Sequence, residues 1–150
     1  MVDKVALGII LIADNLRRRG IILVSWCYMC KADGESVDHL LLHCSYAKEL
    51  WDMIFVFFGI HWVMPRHVID LFDCWQGSLG RHQNLVLWRV IPHCLMWCLW
   101  RERNVRIFLG CELSVFELKL QFFRSLLDWM SASGLCSLSN LLDLLDCCSF

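Results

Sequence analysis

The chain has 150 residues, about one domain's worth, and 58% of them are hydrophobic against 19% charged. That excludes a disordered or low-complexity protein, because such a chain cannot keep so much apolar surface in water. A net charge of −1 also excludes a protein that grips nucleic acid by bulk positive charge. Charge is divided along the chain instead: residues 1–32 carry +3, 33–80 carry −5, 81–110 carry +4 and 111–150 carry −3.

In chain order the pattern is mainly α. A short helix is expected over residues 14–19, stopped by Gly20, which best takes the left-handed position after a helix. Residues 21–26 are β-branched and apolar, hence extended as they approach Cys27. Lys31-Ala32-Asp33-Gly34 reads as a turn. Ser36 is the expected N-cap of a helix reaching about Phe58, with Leu40, Cys44, Ala47, Trp51, Ile54 and Phe58 on one face.

Residues 59–65 break that helix, 66–75 start another, and 76–80 form a loop. A long helix is expected over 81–108 with a kink at Pro92. Ser114 and Glu117 make a capping box for a helix to about Met130, followed by a linker over 131–134 and a short amphipathic end over 139–146. The apolar windows 53–64 and 91–100 are too short and too interrupted to cross a membrane, which needs about 20 apolar residues. No small-residue cleavage site precedes Asp14, which argues against a secretory signal and for a reducing, intracellular compartment (nucleus or cytoplasm).

The ten cysteines are unevenly placed. Cys74, Cys94, Cys98 and Cys111 fall in apolar helical pattern and read as small buried hydrophobes. Cys27-x2-Cys30-x8-His39-x4-Cys44 is different. Two cysteines separated by two residues form a knuckle that presents both thiolates to one tetrahedral ion, and the turn at Asp33-Gly34 returns the chain toward His39 and Cys44. His43 is the rival ligand, one helical turn from His39; Cys44 is preferred because thiolate is the softer donor. In an ideal helix His39 and Cys44 lie roughly 140° apart, so ligation by both requires local distortion. Four protein ligands leave no open position, which makes the expected Zn2+ structural.

Catalytic patterns are missing from the sequence. No Asp-Asp pair exists for two-metal chemistry, and no glycine-rich loop is followed by Lys-Ser/Thr. Cys94 and Cys98 sit among Leu95, Met96, Trp97 and Leu99, a setting for buried core rather than nucleophiles. Two basic clusters remain, Arg17, Arg18 and Arg19 before the knuckle and Arg101, Arg103 and Arg106 near Asn104. They are candidate phosphate contacts for single-stranded RNA or DNA, the alternative being that they pair with the acidic block over 33–52.

The ordered series of Asp14 to Gly20, the Cys27 and Cys30 knuckle, Glu35-Ser36-Val37-Asp38-His39-Leu40 with Cys44, and Trp51 resembles the zinc-binding domain that follows the polymerase in plant LINE-type (non-LTR) retrotransposon reverse transcriptases. The likeness runs on through Trp62-Val63-Met64-Pro65, Trp88 and the Trp97 to Phe108 stretch, over about residues 5–130. It implies a zinc set of Cys27, Cys30, His39 and Cys44, and a non-catalytic piece of a longer retroelement protein. A reverse transcriptase polymerase domain is then an expected partner, and no polymerase chemistry travels with the piece. The expected organisation is a zinc-binding domain over 1–134, with the knuckle over about 14–58 and a helical remainder over 66–130, then a tail over 135–150.

Overall fold

The computed structural model describes Gly20 and residues 26–76, 85–134 and Asp143. The helix expected over 14–19, the extended run over 21–25, the loop over 77–80 and the amphipathic end lie outside those residues, Asp143 apart. The described fold is mainly helical, as expected, and contains no strand. A looped knuckle over 26–34 leads through a π-helical turn, His39–His43, into four α-helices: α1 (Ser45–Phe57), α2 (Val68–Gln76), α3 (Leu85–Leu109) and α4 (Val115–Ser133).

The knuckle is closed by backbone groups. Trp26 and Gly34 meet in a single antiparallel bridge, the Cys27 amide donates to the Asp33 carbonyl at 2.8 Å, and the Lys31 amide donates to the Cys27 carbonyl at 2.8 Å. Lys31 turns the corner at φ 57, a conformation that costs a non-glycine residue energy and that the closed loop must offset.

The helix expected from Ser36 to Phe58 is interrupted. Ser36 does cap its start, its hydroxyl accepting from the His39 amide at 3.0 Å. The Cys44 amide then bonds the His39 carbonyl at 2.6 Å, five residues back, and Cys44 itself is extended at ψ 144 before α1 begins. The extra residue in the turn leaves the Leu41 carbonyl to the Trp51 indole, which donates to it at 2.9 Å. The apolar face survives the break: Leu40, Cys44, Ala47, Trp51, Ile54 and Phe58 are all buried.

α3 is the central element, packed against α4, α1, α2 and the π-turn. This explains the run over 91–100, in which Ile91, Pro92, Cys94, Leu95, Met96, Cys98 and Leu99 are buried. No helix among the described residues is long and apolar enough to cross a membrane. Aromatic packing joins the elements. Trp75 of α2 stacks on Trp88 of α3 at 4.1 Å between centroids, and each indole donates to the other's backbone carbonyl, at 2.7 and 3.2 Å. Both rings therefore satisfy their N–H while wholly buried.

Helix ends moved by a few residues for identifiable reasons. α2 starts at Val68 rather than Arg66, because the Asp38 carboxylate accepts from the Val68 amide at 2.9 Å and from the His67 ring at 2.8 Å. The capping box at α4 forms as expected, with Glu117 N–H to Ser114 Oγ at 3.3 Å and Ser114 N–H to Glu117 Oε2 at 2.8 Å. The expected linker over 131–134 is mostly helix, for α4 continues to Ser133 and ends at Gly134 in the left-handed conformation. Cys111 is exposed in the loop before α4 rather than buried, whereas Cys94 and Cys98 are core.

Candidate metal centre

Two stretches converge on one point. The knuckle supplies Cys27 and Cys30, and the π-turn supplies His39 at its start and Cys44 just past its end. The i→i+5 turn and the extended Cys44 after it bring the side chains of residues 39 and 44 to one point, which an ideal α-helix does not. The distortion that ligation by both residues requires is therefore built into the backbone. One ligand atom from each of the four side chains lies within 4.8 Å of all the others. Cys27 Sγ is 3.9 Å from Cys44 Sγ, and Cys30 Sγ is 3.3 Å from His39 Nε2.

The electrostatics suit a cation. The hydrogen bond from Cys27 to Cys44, with burial, pushes the Cys27 thiol well up, and the same bond draws Cys44 down. An ion entering the site displaces the thiol protons. Burial lowers His39 from its ordinary range, which favours the neutral, ligating imidazole. Its Nδ1 faces Asp33 Oδ2 at 3.9 Å, so Nε2 is the nitrogen turned toward the sulfurs. The donor set, three sulfurs and one imidazole, is that of a tetrahedral structural zinc site. The rival His43 points away, its Nε2 3.0 Å from the Arg66 carbonyl oxygen.

The expected phosphate contacts fare differently. Arg17, Arg18 and Arg19 lie outside the described residues, and Arg101 is exposed. Arg103 and Arg106 are corrected: both are buried, with 4% and 7% exposure, and their guanidiniums are committed inside the protein. Arg103 grips Glu35 through Nη2 at 2.6 Å and Nε at 3.2 Å, and its guanidinium carbon lies 5.5 Å from the centre of the Tyr28 ring. Arg106 donates to Glu102, Met29 and Leu113. The pairing of Arg103 with the acidic block was the alternative open to sequence reading. The structural duty of Glu35, Glu102 and Asp38 was not foreseen there; the four-residue spacing of Glu102 and Arg106 was the visible signal.

Fold and site together define a mainly helical protein organised beside a Cys3His cluster able to bind zinc. Residues 2–51 of the chain match a protein family described as zinc-binding in reverse transcriptase, a stretch that includes all four cluster residues. The resemblance seen beyond Trp51 lies outside that match. No curated protein and no solved structure matches the chain.

Proposed function

We propose that this chain is a non-catalytic, zinc-organised accessory module of a reverse transcriptase, of the plant LINE type, in which Cys27, Cys30, His39 and Cys44 ligate one structural ion. The convergence of four donor atoms within 4.8 Å, inside the stretch matched by the zinc-binding family, carries this reading. Four protein ligands fill a tetrahedral shell, so the ion supplies cross-linking rather than an open position for substrate. The unit so organised is residues 1–134, in a reducing intracellular compartment that keeps the thiols free. Mass spectrometry of protein purified without added metal tests this. One zinc per chain is expected, with loss in Cys27→Ser and Cys44→Ser variants; full zinc in both variants would remove the proposed site.

A template contact is a second reading, favoured by the exposure of Arg101 and of Trp26, which is 56% exposed beside Cys27. A cation and a free ring suit the phosphates and bases of single-stranded RNA or DNA. Arg17, Arg18, Arg19 and Arg101 are then the phosphate contacts. A salt-sensitive mobility shift with single-stranded RNA, abolished in the Arg17/Arg18/Arg19→Ala variant, is expected; no binding at low salt would end this reading. The exposed Phe108, Leu109 and Phe116 favour the polymerase domain as the competing partner. Solubility gained only on co-expression with that domain would select it.

A further inference from the structure

Arg106, in the C-terminal half of α3, reaches back to the knuckle backbone. Arg106 donates from Nε to Glu102 Oε1 at 2.8 Å, from Nη2 to the Leu113 carbonyl at 3.0 Å and from Nη1 to the Met29 carbonyl at 3.0 Å. Its guanidinium carbon lies 4.5 Å from the centre of the Tyr46 ring, and Glu102 Oε1 also accepts from the Leu113 amide at 2.8 Å. The side chain is therefore held from four directions, with its fork aimed at the middle of the knuckle.

Met29 is one of the two residues between the knuckle cysteines, and it is buried. Its carbonyl belongs to the same peptide unit as the Cys30 N–H, which, with the Met29 N–H, favours the thiolate of Cys27. A charged donor on the carbonyl oxygen polarises the unit and strengthens the bond its N–H makes. A continuous path thus runs from the guanidinium through one peptide to a ligand sulfur.

We propose that Arg106 is a positioning residue of the metal centre, acting through the Met29–Cys30 peptide to hold the Cys27 sulfur in ligating geometry. The inference rests on the reading that the four side chains hold zinc. It places part of the outer sphere of the site 77 positions from Met29, well past the stretch matched by the zinc-binding family. Arg103 differs in kind: it holds Glu35, which takes the Tyr28 amide at 3.4 Å. Arg103 anchors the loop; Arg106 supports a ligand.

Zinc affinity of the full chain, measured by competition with a chromophoric chelator, tests the proposal. Arg106→Ala is expected to weaken binding roughly 10–100-fold, the usual effect of losing an outer-sphere partner, and the exposed Arg101→Ala to leave it unchanged. In the zinc-loaded protein the Cys30 amide proton should move upfield and exchange faster in Arg106→Ala, a change that loss of packing elsewhere would not produce. Should Arg106→Ala fail to fold, Arg106→Lys decides: it keeps the charge and loses the fork, so an intermediate affinity and amide shift support the role. Wild-type affinity and an unmoved Cys30 amide in the folded variant overturn it. A wild-type chain that binds no zinc overturns the metal reading itself, whereas tight wild-type binding with an indifferent Arg106 overturns only this inference.

Discussion

The knuckle and the Trp75–Trp88 contact hold their parts of the molecule by different means. Over residues 26–44 the buried Met29, Leu40, Leu41 and Leu42 join the common core, and backbone bonds, one buried ion pair and four converging donors add order of another kind. Around Trp75 and Trp88 order comes from stacked rings, with Trp51 and Phe58 edge-on to them at 5.7 and 5.0 Å. On the zinc reading, the first kind of structure depends on an ion that leaves when chelated or outcompeted by protons. The second depends on water alone. A single chain can therefore have one end whose fold follows metal supply and another whose fold does not.

Metal removal should break the comparison most strongly. Structural zinc binding is worth on the order of 10–16 kcal/mol, and it appears as folding free energy of the elements that supply ligands. A chelator, or Cys44→Ser, should abolish amide protection in the knuckle and π-turn while the helices around Trp88 keep theirs in hydrogen exchange. Equal loss in both regions would show that the two are one cooperative unit.

Two lesions of similar size sharpen the contrast from either side. Arg103→Ala removes the cation paired with the buried Glu35 carboxylate, which should cost about 3–5 kcal/mol, read as a lower denaturation midpoint of the zinc-loaded protein. Trp88→Ala removes a buried ring and should also cost about 3–5 kcal/mol, with zinc affinity unchanged. A Trp88→Ala protein that binds zinc as weakly as a ligand variant would contradict the separation. Ser114→Ala, remote from both regions, should cost only about 1 kcal/mol through loss of the α4 cap.

The smallest effect is one of pH. Burial disfavours the imidazolium of His39 in the folded site, so near pH 6 the opened, metal-free knuckle takes up a proton that the zinc-loaded one does not. Zinc affinity should then fall as pH drops through about 6.5 and stay level in this respect above it. His39→Gln should flatten that part of the profile; an unchanged slope would show that His39 is not the group responsible.

Much of this was legible in the residue order, and the exceptions share a cause. Helix type and the buried face from Leu40 to Phe58 followed from apolar periodicity, and the Ser114 cap from its spacing to Glu117. The four residues that cluster followed from spacing and donor chemistry, including the geometric conflict between His39 and Cys44. How the backbone resolves that conflict, by a π-turn and an extended Cys44, depends on tertiary partners such as the Trp51 indole on Leu41. The arginines were misread for the same reason. Arg103 and Arg106 share the polarity of Arg101, and only packing against Glu35, Met29 and Tyr46 decides that they point inward. Pattern reports which residues are polar; it does not report which polar residues find a buried partner.

Zinc-edge X-ray absorption on the zinc-loaded chain tests the central claim most directly. Three sulfur scatterers at about 2.3 Å and one nitrogen at about 2.0–2.1 Å are expected. A shell of oxygen and nitrogen alone, with no sulfur, would contradict it.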